Sequence, residues 1–312
     1  MGRREEDEIE GVWSGPTSHK PRRQATPIAE IEACPHSSAE DRKMRIASVG
    51  HAVFAATMVG VGILCLIKGD LTAVWQPVSK GVSTSVALVY FCAFISVACG
   101  IGLLWQRKAA LAARVLLAYL LLWLLVFRVP GLLRGLTVDA YWSFSKTGVM
   151  LAAAWVLYVW HAADWDRQRL KFATGERGLR LARALYGLAI IPFGIAHFQY
   201  VENTASLVPR WLPAHVVWAY FTGAAFIAAG VAVVLGVWAR LAAALSALQM
   251  GMFFLLVWVP ALATRSLNSF QWGEVLVTWV LTAAGWVVAD SYRSIPWFGV
   301  DKPLAATLRQ SG

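Results

Sequence analysis

Eight stretches of at least 13 residues lack Asp, Glu, Lys and Arg, and charged segments separate them. A helix needs about 20 mostly apolar residues to cross a bilayer. The shorter stretches reach that length if a charged side chain at their edge extends to the lipid–water interface. The pattern therefore predicts eight transmembrane helices, around residues 46–67, 81–106, 115–127, 147–163, 184–201, 211–239, 241–264 and 275–289.

Helices fit this pattern better than the strands of a membrane barrel do. Barrel strands alternate apolar and polar positions, whereas Val115–Phe127 and Ala224–Leu235 are apolar at consecutive positions. Composition agrees, because 58% of the residues are hydrophobic and only 15% are charged, against about 25% charged in an average soluble chain. A water-soluble globular protein is therefore excluded.

The apolar pattern also repeats within the chain. The shift is 132 residues where Gly62 matches Gly194, and 131 where Trp155 matches Trp286. Between them the shift is 130, with Tyr90-Phe91 matching Tyr220-Phe221, Gly100 matching Gly230, Val129-Pro130 matching Val259-Pro260, and Trp142 matching Trp272. Each copy holds four predicted helices, an even number, so both copies start on the same side and the repeat is parallel.

These patterns predict a fold class and a division of the chain. The fold class is an all-α integral membrane protein whose eight transmembrane helices form two parallel-repeat four-helix bundles. Residues 45–163 form the first four-helix unit and residues 181–290 the second. The remaining parts are a polar, disordered cytoplasmic tail over 1–44, a cytoplasmic linker over 164–180 and a cytoplasmic tail over 291–312.

The basic residues predict the orientation. Near the ends of the predicted helices, 16 Lys and Arg lie on the side shared by both termini and 7 lie on the other side. By the positive-inside rule both termini are then cytoplasmic. The net charge of +10 is thus explained by topology, and no basic cluster interleaved with aromatic residues indicates nucleic-acid binding.

The second copy contains a set of distinctive motifs: Phe193–Phe198, Leu207–Pro213, Trp218, Thr222-Gly223, Gly230, Arg240–Ala243 and Val259-Pro260. In these motifs it resembles the DoxX/DoxX-like family of small four-helix bacterial membrane proteins. The resemblance implies a location in the bacterial cytoplasmic membrane and a role near redox chemistry, because DoxD-related members include a subunit of a thiosulfate:quinone oxidoreductase. Quinone is then the implied ligand, and a redox protein the implied partner besides the lipid bilayer.

Polar residues near the outer ends of the second copy are the candidate ligand-binding residues. His197, with Glu202 close in sequence, could relay protons or hydrogen-bond a quinone carbonyl. The alternative is that His197 only caps its helix or bonds a loop carbonyl. Glu274 either pairs with Arg265 or lines a polar outer vestibule, or it simply favours the start of its helix. The full set is His197, Glu202, Arg210, His215, Arg265 and Glu274.

The first copy has Cys65 where the second has His197, so any ligand pocket is expected in the second copy, between its first and last helices. Converging ligands for a metal are missing from the sequence pattern, and no catalytic residue is assigned. Cys92 and Cys99 lie about 10.5 Å apart along one helix and cannot form a disulfide. The sequence thus predicts a quinone- or redox-associated membrane subunit. The alternatives are a binding protein or carrier for a small amphipathic molecule, and a non-catalytic membrane anchor.

Overall fold

A computed structural model of the protein describes residues 47–78, 85–264 and 267–301. Apart from an isolated bridge between Val237 and Val300, these residues form helices and the loops that join them. The predicted tail over 1–44 lies outside the described residues. The long helices of the described part are α1 (Val49–Lys68), α2 (Val86–Leu104), α3 (Gln106–Arg134), α4 (Val138–His161), α5 (Gly175–Gln199), α6 (His215–Leu235), α7 (Ala239–Ala263) and α8 (Ser269–Asp290).

Seven of these helices, all except α4, are long and apolar enough to cross a membrane. The prediction of an all-helical membrane protein is therefore confirmed. Helix α4 has 24 residues, but it carries Asp139 and Lys146, and no 18-residue part of it is as apolar as the membrane-spanning parts of the other seven. It packs against α3, α5 and α8, and 14 of its residues are buried. A helix surrounded by other helices does not need an apolar surface toward lipid.

Several helices extend beyond the charge-free stretches that predicted them, among them α3 and α5. Helix α3 runs from Gln106 to Arg134, and α5 begins at Gly175, inside the predicted linker. The reason is that a charged residue marks the edge of an apolar stretch without ending a helix. The rest of the linker holds a short helix, Asp164–Arg169.

That short helix is tied to α3 by an ion pair. The Arg114 guanidinium lies 2.7 Å from the Asp166 carboxylate, which also accepts a hydrogen bond from the Ala163 amide. Burial by itself would raise the pKa of Asp166, but the hydrogen bond and charge of Arg114, the nearby Tyr158 hydroxyl and the Ala163 amide together outweigh burial and leave the pKa below its usual value. The carboxylate therefore stays charged and holds the linker against the bundle at neutral pH.

Glycines allow neighbouring helices to approach closely. A Cβ atom on Gly62 of α1 would lie 2.6 Å from the Ala93 carbonyl oxygen of α2, and one on Gly100 of α2 would lie 2.6 Å from that of Ala55. Helices α5 and α6 meet in the same way. There Gly194 faces Gly223 and Ile227, and Gly230 faces Gly187 and Ile191.

Helices α3 and α7 each contain one turn of π-helix ahead of a proline. The π turns are Leu124–Arg128 and Phe254–Trp258, and Val-Pro follows each of them. Proline cannot donate the hydrogen bond of a regular helix and its ring crowds the preceding turn, so the chain widens locally. Each π turn ends with a buried side chain, Arg128 in α3 and Trp258 in α7.

Candidate functional site

Three aromatic side chains with polar tips lie buried together in the first half of the chain, and we call them the donor cluster: Trp75, Tyr119 and Trp123. Trp75 belongs to the turn after α1, and the other two lie one turn apart on α3. Their exposed fractions are 1%, 7% and 2%. The ring centre of Trp75 is 5.2 Å from that of Tyr119 and 5.4 Å from that of Trp123, both in edge contacts.

Every polar tip in this cluster lacks a hydrogen-bond partner within the described residues. The unpaired atoms are the two indole Nε1 atoms and the Tyr119 hydroxyl. An unpaired buried polar group costs about 1–3 kcal/mol, and native proteins rarely leave one without a partner from protein, water or ligand. Three neighbouring aromatic side chains with such groups are therefore suited to donate hydrogen bonds to an acceptor molecule.

Thiols border the cluster. The Cys65, Cys92 and Cys99 side chains are buried and free, and all three are within electrostatic reach of the Tyr119 hydroxyl. Cys92 lies near that hydroxyl, yet the hydroxyl forms no hydrogen bond of normal geometry in the described part of the chain. The Cys65 thiol is 3.7 Å from the Thr72 hydroxyl oxygen. Such thiols are poor acceptors and leave the donors unsatisfied.

Arg128 closes the cluster at the end where Trp75 lies. Its guanidinium is 2% exposed and donates to three consecutive carbonyl oxygens of the turn: Trp75 at 2.8 Å, Gln76 at 3.2 Å and Pro77 at 2.6 Å. Its Nε donates to the Thr147 hydroxyl at 3.1 Å. The arginine thus fixes the turn over the bundle and holds Trp75 in place.

Lys146 of α4 is a second buried cation near this end. Its exposed fraction is 6%, and it interacts electrostatically with Glu274 of α8 and with Arg128. Its side-chain ammonium forms neither an ion pair nor a hydrogen bond with the described residues. Glu274, predicted from the sequence as a ligand-binding residue, therefore faces α4 of the first half rather than the other predicted residues.

In the second half of the chain, other residues stand at the sequence positions that match the donor cluster and its neighbour Cys65. His197 stands at the position of Cys65, and its Nδ1 bonds the Phe193 carbonyl oxygen of its own helix at 2.7 Å. Its ring packs on Phe226 and Phe253, and Phe253 occupies the position of Trp123. The Gln249 amide, at the position of Tyr119, donates to the Thr222 carbonyl oxygen at 3.0 Å. This second set is satisfied internally.

The other predicted residues of the second half do not join His197. Glu202 lies on a short helix, Val201–Ser206, and is exposed, as is Arg210. His215 is half-buried at the start of α6. Arg265 lies outside the described residues. The described members of the predicted site are thus spread over α5, α6, α8 and a loop, and they share no common contact.

The opposite end of the bundle holds two polar pairs at matching positions. His51 and His161 have ring centres 5.1 Å apart, and His51 Nε2 is 3.0 Å from the Leu103 carbonyl oxygen. Arg183 and Tyr292 stand at the matching positions, 132 and 131 residues later in the sequence. The Arg183 guanidinium carbon lies 4.0 Å from the centre of the Tyr292 ring. The second pair borders a cavity of about 20 Å³, which is room for a single water molecule.

Metal binding has no support in the described part of the chain, where no three His, Cys, Asp or Glu side chains are grouped. The sequence did carry a signal for the donor cluster. Tyr119, Trp123 and Phe127 are spaced four residues apart along α3, which places three aromatic rings on one face. The position of Trp75 had no such signal, since a turn positions it.

Comparison of the chain with family models, curated proteins and solved structures gives no match. The function is therefore argued from the residues of the chain itself.

Proposed function

We propose that this chain is a DoxX-like protein of the bacterial cytoplasmic membrane that acts as a quinone- or redox-associated membrane subunit. The observation that supports this function best is the donor cluster, with three buried and unpaired hydrogen-bond donors on aromatic side chains whose rings pack together. A quinone head group has carbonyl oxygens that accept hydrogen bonds and a flat ring that stacks on aromatic side chains. Its chemistry matches a site that only donates.

Each residue of the cluster would have its own role in binding. The indole N–H groups of Trp75 and Trp123 and the hydroxyl of Tyr119 would hold the carbonyl oxygens, and the rings would orient the head group. Arg128 keeps water away by fixing the turn above Trp75. A bound quinone would supply the capacity to accept two electrons, and the thiols nearby would remain protein packing groups.

We also propose that the chain is a tandem of two four-helix units and that α4 is the eighth membrane-spanning helix. Contacts that recur at the sequence shifts of 130 to 132 support the tandem: Gly62 on Ala93 matches Gly194 on Gly223. The hydrogen bond from Trp258 to Thr278, at 3.0 Å, matches the one from Arg128 to Thr147. The two π turns recur at a shift of 130.

The proposed orientation has both termini in the cytoplasm, which predicts the behaviour of reporter fusions. A reporter that works only in the cytoplasm should be active when fused after Gly312 and silent when fused after Asn203, because the 16-to-7 excess of basic residues marks the inner side. Reporter activity is measured in cells at matched protein amounts. Activity after Asn203 with silence after Gly312 would reverse the orientation.

Binding of quinone by the full-length protein in nanodiscs tests the function. Decyl-ubiquinone should bind, and Trp75→Phe, Trp123→Phe and Tyr119→Phe should each weaken binding by about three- to tenfold, because each removes one donor and keeps a ring. The measurement is bound quinone at equilibrium, separated from free ligand and quantified after organic extraction.

Exposed aromatic residues provide matched controls for these variants. Tyr220→Phe on α6 and Trp272→Phe on α8 remove the same polar atoms from side chains that are about half exposed, and binding should stay at the wild-type level. Absence of quinone binding by the wild-type protein, or equal losses in the control variants, would contradict the proposal. Equal binding of any amphipathic acceptor, without preference for quinone, would instead favour a carrier.

A further inference from the structure

The donor cluster is closed toward the end of the bundle where the turn lies. Trp75 is 1% exposed and its neighbours Leu71 and Val74 are 3% exposed. Gln76 ties the turn to itself by donating to the Leu71 carbonyl oxygen at 2.9 Å, and Arg128 holds three of its carbonyl oxygens. Entry from water over this turn would break these four hydrogen bonds among the described residues.

The side of the bundle is less strongly closed. Tyr119 is 7% exposed, and its ring lies 6.1 Å from the ring of Phe91 on α2 in an edge contact. Phe91 itself is 51% exposed. The half-exposed Phe91 side chain therefore covers Tyr119 at the outer surface of α2 and α3. The surface around it is apolar, with Tyr90, Phe94 and Leu122 all more than half exposed, as expected for helices facing lipid.

We infer that the ligand of the donor cluster is a lipid-dissolved amphipathic molecule that enters sideways from the bilayer between α2 and α3, past Phe91. This inference rests on the proposed function, and it adds the route by which the ligand enters and the division of the ligand into a polar head group and an apolar tail. The head group carries hydrogen-bond acceptors and reaches Trp75, Tyr119 and Trp123. An apolar tail stays beside Phe91 among the lipid chains, where the exposed apolar residues of α2 and α3 face it.

The second unit offers a built-in comparison. Phe221 stands at the position of Phe91 in the repeat and is 60% exposed. Its ring contacts Trp218 of its own helix, with centres 5.8 Å apart. Behind it, Gln249 already bonds the Thr222 carbonyl oxygen. Two surface phenylalanines thus share a position, and only the one in the first unit borders unpaired donors.

The kinetics of binding to the full-length protein in liposomes test this route. Two probes share a head group: decyl-ubiquinone has a tail, and ubiquinone-0 has none. The tailed probe should associate faster at equal aqueous concentration. Phe91→Ala should raise both its association and dissociation rates by about three- to tenfold with little change in affinity, because the variant opens a gate and leaves the donors in place. Phe221→Ala should match the wild-type protein.

The outcomes separate the inference from the proposed function. If both probes bind with rates that depend neither on the tail nor on Phe91, the ligand enters from water and the inference is wrong while the function stands. If neither probe binds, both are wrong. Phe91→Leu provides a second variant at the same position, and an effect of equal size from Phe221→Ala would also overturn the lateral route.

Discussion

Replacing Arg128 by methionine is expected to lower the free energy of unfolding by about 1–3 kcal/mol, the cost of leaving buried acceptors without their donor. The variant leaves the carbonyl oxygens of Trp75, Gln76 and Pro77 without their donor. It also removes the bond to Thr147, which retains a weaker one to the Ser143 carbonyl oxygen at 3.3 Å. Thermal unfolding of the purified protein in detergent measures the change.

Arg134→Met is the matched control for this prediction. Arg134 is also on α3, and its Nε donates to the Pro130 carbonyl oxygen at 3.1 Å, but the side chain is exposed. Water replaces such a bond, so the change in stability should stay within about 0.5 kcal/mol. Equal melting temperatures for the two variants would mean that Arg128 does not hold the turn. Loss of quinone binding by Arg128→Met in still-folded protein would connect the turn to the site.

Hydropathy predicted the helices well because burial in lipid acts on whole segments. Every charge-free stretch corresponds to one long helix, and Val-Pro marks the π turn in both α3 and α7. The same rule ranks α4 lowest, because Lys146 and Asp139 interrupt its apolar stretch. Hydropathy cannot show that α4 is covered by three neighbours, which is a property of packing.

The candidate site was harder to predict because its residues come together only in the tertiary structure. Trp75 stands near the end of an apolar stretch, where an aromatic belt at the interface explains it, but the turn folds it inward. Arg128 follows α3's apolar stretch and is typical of a side chain reaching for the interface, yet its π turn directs it to backbone carbonyls. His197 was predicted as a ligand-binding residue because its imidazole stands near the outer end of a helix. In the structure its Nδ1 instead bonds the Phe193 carbonyl oxygen of the same helix.

The two halves of the chain carry different side chains at matching sequence positions around the donor cluster. Cys65, Tyr119 and Arg128 in the first correspond to His197, Gln249 and Trp258 in the second, whereas the glycine contacts correspond closely. Packing between helices tolerates little change, since an added atom meets backbone. The interior near the cluster tolerates polar and aromatic exchange. Unequal side chains at positions that match in sequence place the unpaired donors of the cluster in the first half of the chain.

Gly230→Leu is expected to reduce the yield of folded protein most severely among single substitutions on α6. Even a Cβ at this position would lie 2.6 Å from the Gly187 carbonyl oxygen and 2.5 Å from Ile191 Cγ1, and backbone cannot move aside without separating α5 from α6. Overpacking of this kind costs about 1–3 kcal/mol and sometimes more, so Gly230→Ala should show a smaller loss in the same direction.

Gly60→Leu isolates the clash from the change of residue type. Gly60 also lies within a long helix, but no heavy atom comes within 4 Å of a Cβ placed there. Both substitutions remove a helix-disfavouring glycine, so the difference between them reports the contact with α5.

Fluorescence-detected size exclusion measures the folded, monodisperse fraction. Gly100→Leu, which meets the Ala55 carbonyl oxygen of α1, should behave like Gly230→Leu. Equal yields for all three leucine variants would mean that the helices do not meet through these glycines.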